Sequence, residues 1–203
     1  YVMSWDDYES AKVLLRLQKH GLRVKIATEA FELNTAEGLL NFDEGAVFVP
    51  FVMQGLSEME FKEMIDKAIS GTNVIAYEAT TGLTPSGIDL GSRGFEHYQP
   101  KKIAVLVGDG ISSYEAGEVW HLFDQRLEHG ITLLNTDRLS ESTASQYDVI
   151  VMVNSYRLQK RNADALASFV RSGGTLIATK GAVQQLSRFE LAPVEQVESV
   201  GDS

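Results

Sequence analysis

Apolar residues recur at helical spacing in two segments of the first 80 positions. In the first segment, Asp6 or Asp7 can cap a helix that extends to about His20. Its apolar stripe consists of Ala11, Leu14, Leu15 and Leu17. In the second segment, Ser57 and Glu60 have the spacing of a capping box, in which each side chain bonds the backbone N–H of the other residue. The helix predicted after this box carries Phe61, Met64, Ile65 and Ala68 on one face.

Three short runs of mainly apolar residues lie between and after these two helices. They occupy residues 22–28, 45–51 and 73–79, and their length and composition predict β-strands. Alternation of strands with helices is typical of a layered α/β fold. We therefore predict a first α/β unit in residues 1–82.

A long segment without periodicity follows the first unit. Residues 80–102 are rich in Gly, Ser, Pro and Thr, which predicts a loop. Loops of this length are uncommon inside a compact domain, so the segment is either a boundary or a functional surface. We assign residues 83–101 as a connecting loop between two units. Because each unit alone is near the lower end of domain size, we expect the two to pack as one body.

The second half of the chain repeats the alternation with stronger signals. Residues 102–108 form a nearly continuous apolar run, which predicts a strand in a sheet covered on both faces. The helix predicted over residues 113–128 has an apolar stripe made of Ala116, Val119, Trp120, Phe123 and Leu127. Further strands are predicted at 130–135, 147–154 and 175–179, and further helices at 162–174 and 181–189. Residues 102–203 thus form a second α/β unit, and we predict a three-layer fold with a mostly parallel sheet and a frayed acidic tail after Ala192.

Composition excludes several classes of function. The chain has 203 residues and a formal net charge of −10, which argues against binding to nucleic acid or to anionic membrane surfaces. No apolar run approaches the roughly 20 residues that a membrane-spanning helix needs. The chain has no cysteine, which excludes disulfides, thiolate metal ligands and a cysteine nucleophile. Since the sequence opens at Tyr1 without an initiator methionine, we interpret it as a segment of a longer polypeptide.

The carboxyl ends of the predicted parallel strands are where a ligand is expected to bind. In the second unit these ends comprise residues 108–110, 135–138, 154–157 and 179–181. A pocket lined by them would be polar and mixed in charge. The candidate pocket residues are Asp109, Tyr114, Glu115, Asn154, Ser155 and Lys180.

Three motifs in this region suggest chemistry but are incomplete. The G-x-G around Asp109 lacks the third glycine and the Lys-Ser/Thr pair of a phosphate-binding loop, so a tight turn is the favoured interpretation. Glu118, His121 and Asp124 share one helix face, but no second histidine follows at a suitable distance, and we interpret them as a solvated face. Ser155 follows a strand without the G-x-S-x-G of a nucleophile elbow. We predict no metal site and no catalytic residue in this chain.

Lys180 occupies the turn between the last predicted strand and the last predicted helix. Its side chain could be a Schiff-base nucleophile, bind an anion, or pair with a carboxylate, and pairing is the favoured role. A lysine at a helix N-terminus lies at the unfavourable end of the helix dipole, so we expect a carboxylate beside it, either Glu115 or Asp109. Glu115 also has capping-box spacing with Ser112, a role compatible with facing the pocket.

The second unit resembles the class I glutamine amidotransferase-like fold, a flavodoxin-like architecture. The resemblance is carried by the stretches "KKIAVLVGDGISSYEAGEVWHLFDQR" and "FVRSGGTLIATKGAV". In active amidotransferases the elbow carries a cysteine, and a histidine and glutamate follow downstream. Here the elbow residue is Lys180, and no histidine follows His129. The resemblance therefore implies the fold without amidotransferase activity.

Nearly the whole chain resembles the region downstream of the peptidase domain in large bacterial zinc carboxypeptidase-family proteins. The motifs that carry this resemblance are "SWDDY", "GLTPSGIDLGS" and "VGDGISSYEAGEVWHLFDQR". In that family the zinc ligands belong to the upstream catalytic domain, which implies zinc in the parent protein and no cofactor in this segment. The upstream peptidase domain would be its partner. Export of such proteins implies a periplasmic or secreted location.

We therefore expect a non-catalytic accessory or scaffold segment of a zinc metallocarboxypeptidase. A second hypothesis is a small-molecule or peptide-binding module that uses the strand-end pocket around Asp109, Tyr114, Asn154 and Lys180. A third is a lysine-dependent enzyme. Pairing of Lys180 with a carboxylate would favour the first hypothesis, and an unpaired, buried Lys180 would favour chemistry.

Overall fold

The computed structural model describes residues 1–191 and 194, which form two compact units divided between Pro100 and Lys101. The segment predicted to connect the units is part of the first unit as far as Pro100. The predicted frayed tail lies outside the described residues, except for Val194. Packing of the two units as one body stays a prediction.

The first unit has a four-stranded sheet, a separate hairpin and two long helices. Its elements are β1 (Val2–Met3), α1 (Ser10–Lys19), β2 (Lys25–Ala27), β3 (Phe31–Thr35), β4 (Gly38–Phe42), β5 (Val47–Phe48), a 3₁₀ turn (Phe51–Met53), α2 (Glu58–Ile69) and β6 (Phe95–His97). The sheet order is β1-β5-β2-β6, and every neighbouring pair is antiparallel. The prediction of a mostly parallel sheet is therefore wrong for this unit. The helix α1 connects β1 to β2, but β5 inserts between those two strands and runs opposite to both.

Two features of the first unit differ from the sequence predictions. The run at 73–79 makes only isolated bridges, from Tyr77 to Val2 and from Ala79 to Thr35, instead of a full strand. The hairpin β3–β4 was not predicted, although apolar and polar residues alternate along β3. Its side chains Phe31 and Phe42 are directly opposite each other and stack at 5.3 Å. Tertiary burial of these aromatic residues thus stabilises a short hairpin that would be marginal alone.

The sheet of the first unit has an apolar cluster on each side. One cluster joins α1 and α2 to the sheet, and its fully buried members include Met3, Leu17, Ile65 and Val47. The other places the hairpin against the sheet, through residues such as Val2, Leu33, Phe42 and Phe95. The predicted capping box of α2 is confirmed, with Ser57 Oγ 3.3 Å from Glu60 N and Glu60 Oε2 3.0 Å from Ser57 N. The helix α1 begins later than predicted, at Ser10, and its N-cap residue makes no side-chain capping bond.

The second unit alternates parallel strands with helices. Its elements are β7 (Ile103–Val107), α3 (Ser113–His121), a π-helical turn (Leu122–Arg126), β8 (Thr132–Asn135), a 3₁₀ turn (Thr136–Arg138), α4 (Glu141–Ala144), β9 (Val149–Met152), α5 (Lys160–Arg171), β10 (Thr175–Ala178) and α6 (Gly181–Arg188). The sheet order is β10-β9-β7-β8, and every neighbouring pair is parallel. The prediction of an α/β unit with a parallel sheet is confirmed here. Its core contains strand residues together with apolar residues of the helices, such as Leu166 and Leu186.

The helix predicted over 113–128 is shorter than expected and changes its winding. Leu127 N donates a hydrogen bond of 3.0 Å to Leu122 O. The two residues are one position farther apart than the partners of an α-helical bond, which is the pattern of a π-helix. The extra residue in this turn shifts the helical register of the residues that follow it. Within α3 only Ala116 is buried, and Trp120, which belongs to the apolar stripe of the predicted helix, is 40% exposed.

Candidate functional site

The strand ends of the second unit bring together most of the predicted pocket residues. Lys180 follows β10, Asn154 and Ser155 follow β9, and Asp109 follows β7. Glu115 lies in the first turn of α3. Parallel strands end at the same edge of a sheet, which is why residues from distant parts of the sequence meet there. Tyr114 is the exception, because its side chain is 87% exposed and makes none of the contacts described below.

Lys180 is the turn residue between β10 and α6, and its backbone is strained. Its φ of 52° and ψ of −126° place it in a region that residues with a Cβ rarely adopt. A conformation of this kind costs on the order of 1–3 kcal/mol and persists only where the surrounding structure imposes it. The sharp strand-to-helix elbow predicted from the sequence is therefore present.

Gly181, the residue after the elbow, lies against the end of β9. A Cβ at this position would be 2.6 Å from Asn154 Oδ1 and 2.6 Å from Ser155 O, so only glycine fits without displacement. The backbone N–H of Gly181 donates a hydrogen bond to Asn154 Oδ1 over 3.1 Å. Asn154 thus satisfies the first free donor of α6 from a neighbouring strand end.

Lys180 forms an ion pair with Glu115. The distance from Lys180 Nζ to Glu115 Oε1 is 3.0 Å, and the second carboxylate oxygen accepts a bond from Asn154 N over 3.3 Å. The Glu115 side chain is 18% exposed, whereas that of Lys180 is 66% exposed. The hydrogen bond from Lys180 is the main reason why the pKa of Glu115 lies below its usual value, with a smaller contribution from Asn154 and an opposing one from desolvation. Of the two carboxylates predicted to face Lys180, Glu115 is the one that does.

Half of the predicted capping box at the start of α3 is present. Ser112 Oγ accepts a long bond of 3.5 Å from Glu115 N. The carboxylate of Glu115 points instead to Lys180 and Asn154. The capping-box prediction for this glutamate is therefore corrected: its side chain joins α3 to the strand ends at Lys180 and Asn154, and the bond from the ammonium group is charge-assisted.

Asp109 pairs with Arg157, which belongs to the predicted strand end 154–157 but is not one of the candidate pocket residues. The two charged groups are in direct contact, and both side chains are largely exposed. An analogous but longer exposed pair joins Asp137 and Arg161 at 3.4 Å. Exposed pairs of this kind contribute little stability, so their effect is to balance charge at this edge of the sheet. The only signal in the sequence was the presence of opposite charges at neighbouring strand ends.

Ser155 and the turn around Gly110 interlock. Ser155 is buried, and its hydroxyl lies 3.0 Å from Gly110 O, to which it donates a hydrogen bond. Gly110 has a φ of 82°, and a Cβ there would meet the carbonyl of Arg157 at 2.0 Å. Backbone bonds also join Ser112 N to Asn154 O and Tyr156 N to Gly110 O. The G-x-G segment is therefore a tight turn that packs against the next strand end, as the favoured interpretation of this motif expected.

The described residues contain neither a candidate metal cluster nor a candidate membrane-spanning helix. In residues 1–191 and 194, no group of three or more His, Cys, Asp or Glu side chains is arranged to hold a metal ion. Glu118, His121 and Asp124 thus do not form such a group. Within the same part of the chain, no helix combines the length and the apolar character needed to cross a membrane.

Comparisons with known proteins identified no relative of this chain. No family model matches the chain, and neither the curated proteins nor the solved structures contain a match. The fold class therefore rests on the structure itself, which is mixed α/β with a four-stranded parallel sheet in the second unit.

Proposed function

We propose that this chain is a non-catalytic accessory segment of a zinc metallocarboxypeptidase-like protein, and that its second unit is a degenerate amidotransferase-like, flavodoxin-like domain. The observation that carries the non-catalytic part is the ion pair between Lys180 and Glu115 at the elbow. The motifs "GLTPSGIDLGS" and "VGDGISSYEAGEVWHLFDQR" carry the relation to the peptidase family. Proteolysis would then be carried out by an upstream zinc domain, with this segment packed against it in the periplasm or outside the cell.

A catalytic elbow needs a free nucleophile and a free donor for the developing oxyanion. The donor in such elbows is the backbone N–H of the residue after the nucleophile. Here the elbow side chain is an ammonium group that donates to Glu115, and the following N–H, that of Gly181, is bonded to Asn154. The hydroxyl of Ser155, at the end of the neighbouring strand, donates to Gly110 O. The elbow side chain and the N–H that follows it are therefore both engaged in structural bonds.

A lysine-dependent enzyme is also disfavoured by this geometry. Schiff-base lysines act as neutral amines, and they are usually desolvated or placed next to another cation. Lys180 is mostly exposed, and its nearest charged neighbour is a carboxylate. An ammonium that donates to a carboxylate has no lone pair available to attack a carbonyl group.

Reductive trapping tests the non-catalytic assignment. The protein is incubated with a small aldehyde and borohydride, and the adducts at each lysine are quantified by peptide mass spectrometry. Lys160 is a matched control, because it is also exposed and lies 3.0 Å from a carboxylate, that of Asp164. We expect equal labelling of Lys180 and Lys160. Labelling of Lys180 that is about tenfold faster would contradict the assignment and favour a nucleophilic lysine.

Deletion of this segment from the parent protein tests the accessory role. We expect a lower thermal stability and a reduced peptidase activity of the truncated parent, with its zinc content retained. The variant Lys180→Met in the intact parent is the matched control and is expected to keep peptidase activity. Undiminished stability and activity after deletion of residues 1–203 would argue against a scaffold.

A binding module at the strand ends is the second candidate, and one observation favours it. Tyr114 and Tyr156 are 87% and 73% exposed, and the backbone of Tyr156 bonds Gly110 beside the elbow. Exposed aromatic residues near mixed charges are typical of peptide-binding surfaces. Backbone amide shifts of Tyr156 and Lys180 during titration with a peptide library would support this candidate, and unchanged shifts would exclude it.

A further inference from the structure

The loop 79–91 of the first unit forms one wall of a cavity. The cavity has a volume of about 540 Å³, within the range of small-molecule sites. Its other walls are the face of the sheet at Lys25 and Phe48 and the 3₁₀ turn Phe51–Met53. The loop contributes Thr81 and Leu90 among others. Both residues belong to the segment 80–102, whose composition predicts either a boundary or a functional surface.

Most of the cavity lining is apolar, and its two phenylalanine rings pack against neighbouring rings. The ring of Phe48 packs edge-on against Phe95 at 5.3 Å, and the ring of Phe51 packs against Phe61 at 5.3 Å. These contacts fix two aromatic walls before any ligand arrives. Val52 at the rim is 89% exposed, so the opening itself presents apolar surface to solvent. A ligand with an apolar body would bury this surface.

Lys25 is the one charged side chain among the residues that line the cavity in the described part of the chain. It lies directly opposite Phe48 in the sheet, so both side chains are on the same face. No ion pair involves Lys25 within residues 1–191 and 194. In contrast, Lys62, Lys67 and Lys180 each contact a carboxylate. In a chain with 28 acidic residues and 18 basic ones, an apolar cavity that holds a lysine and no acid favours an anionic ligand.

The hydroxyl groups of the loop provide a second polar contact. Thr80 Oγ1 donates to Asn34 O over 3.0 Å and fastens the loop to the hairpin. Thr81 Oγ1 accepts a bond of 3.2 Å from Leu83 N, which leaves its own O–H available as a donor to a ligand. The nearby carboxylate of Glu78 is bonded to the hydroxyl of Tyr1 at 3.4 Å and does not line the cavity.

We propose that this cavity binds a small carboxylate with an apolar or aromatic body, with the carboxylate at Lys25 and Thr81 and the body against Phe48, Phe51 and Leu90. A few well-placed polar groups in a mostly apolar site are the usual arrangement for orienting such a ligand. The site belongs to the first unit and does not depend on the elbow of the second, so it stands apart from the proposed accessory function.

The test compares ligands with the same body and opposite charge. The full chain is titrated with 4-phenylbutyrate and with 4-phenylbutylamine, and binding is followed by backbone amide shifts in two-dimensional NMR. Because both ligands are small, we expect a dissociation constant on the order of 1 mM for the acid. We expect the amine to bind about tenfold more weakly, since a charge-assisted bond to Lys25 is worth about that factor. The shifts should be largest at Phe48, Thr81 and Leu90.

Two variants decide whether Lys25 causes the preference. Lys25→Met keeps the apolar stem and removes the charge, and we expect the acid and the amine then to bind within about twofold of each other. Lys67→Met removes an equal charge outside the cavity and is expected to keep the full preference. If Lys25→Met does not fold, the comparison of acid and amine on the unaltered chain still tests the proposal. Equal binding of the two ligands, no shifts at the cavity, or a preference unchanged in Lys25→Met would each overturn it.

Discussion

At the scale of single residues, Lys180 combines a strained backbone with a side-chain charge that forms an ion pair. The strain at its φ of 52° would be relieved by glycine. Its ion pair with Glu115 would be lost with any neutral substitution. The two effects are separated by comparing Lys180→Gly with Lys180→Ala, because both variants lose the pair and only glycine relieves the strain. We expect the glycine variant to be more stable by about 1 kcal/mol, as relief of strain exceeds the entropy cost of glycine. Urea unfolding measures this difference in stability. A more stable alanine variant would contradict the claim that the backbone at position 180 is strained.

Gly181 has no space for a side chain, which is also testable at the residue scale. Gly181→Ala would place a methyl group 2.6 Å from Ser155 O and from Asn154 Oδ1. We expect this variant to lose about 1–3 kcal/mol of unfolding free energy. Gly117→Ala is the matched control, because no atom lies within 4 Å of the added Cβ and the site is helical. The control is expected to be unchanged or slightly more stable. Equal stability of the two variants would show that the elbow relaxes easily.

The low pKa of Glu115 makes the contribution of its ion pair dependent on pH. A carboxyl group whose pKa is lower in the folded state stabilises the fold above its unfolded pKa and loses that effect as pH falls through the folded pKa. The ordinary value is 4.5, so the contribution is complete above that pH and decreases below it. We expect the stability difference between the unaltered chain and Glu115→Gln to be constant near neutral pH and to shrink as the solution is acidified below pH 4.5. Urea unfolding at a series of pH values measures it, and a difference that grows in acid would contradict the pairing.

At the scale of elements, the helices begin in different ways. The helix α2 has a complete capping box, whereas the N-cap of α5, Gln159, has extended backbone angles and makes no side-chain capping bond. Substitution by a good capping residue supplies the missing acceptor. We expect Gln159→Asp to raise the unfolding free energy by about 0.5–1 kcal/mol and Gln159→Ala to leave it nearly unchanged. Thermal unfolding compares the two, and equal values would indicate that water already satisfies this helix end.

The strands illustrate how much of the elements could be predicted. In the second unit, continuous apolar runs predict β7 and β9, which are mostly buried because a parallel sheet is covered on both faces. The apolar run of β10 predicts that strand as well, although none of its residues is buried. In the first unit, the predicted parallel direction of the strands was wrong. The hydrophobic pattern indicates which residues are buried, but it does not indicate which strands pair. The run at 73–79 has the composition of a strand but makes only single bridges, since Tyr77 and Ala79 contact different strands.

At the scale of the whole molecule, each unit has its own core. The apolar cluster around Leu106 and Leu166 contains only residues of the second unit, and the clusters around Leu17 and Phe42 contain only residues of the first. Leu106→Ala is expected to destabilise the second unit by about 2–5 kcal/mol. We expect hydrogen exchange to accelerate in residues 101–191 and to remain unchanged in residues 1–100. Acceleration in both units would instead support the prediction that they pack as one body.

The candidate site was predicted in part. Lys180 and Asn154 were named from strand ends and Glu115 as a possible carboxylate partner of Lys180, and the structure joins them. Arg157 belongs to the strand end 154–157, but its pairing with Asp109 was not predicted, because an arginine in a loop has no local signal that tells which carboxylate it will meet. The cavity around Lys25 was also missed, since its walls come from a strand, a turn and a loop that are far apart in the sequence.

The sequence by itself determined the longer helices, the strands of the second unit, the elbow at Lys180 and the polar character of the strand ends. These features depend on neighbours within a few positions, through periodic burial, capping and turn chemistry. Only the tertiary structure decided which carboxylate faces Lys180, because Glu115 is 65 positions away and competes with Asp109. It also decided that Asn154 accepts the N–H of Gly181, and that Lys25, which has no acidic partner within the described residues, lines an apolar cavity. Contacts of this kind depend on how strands are ordered in a sheet, which local pattern does not encode.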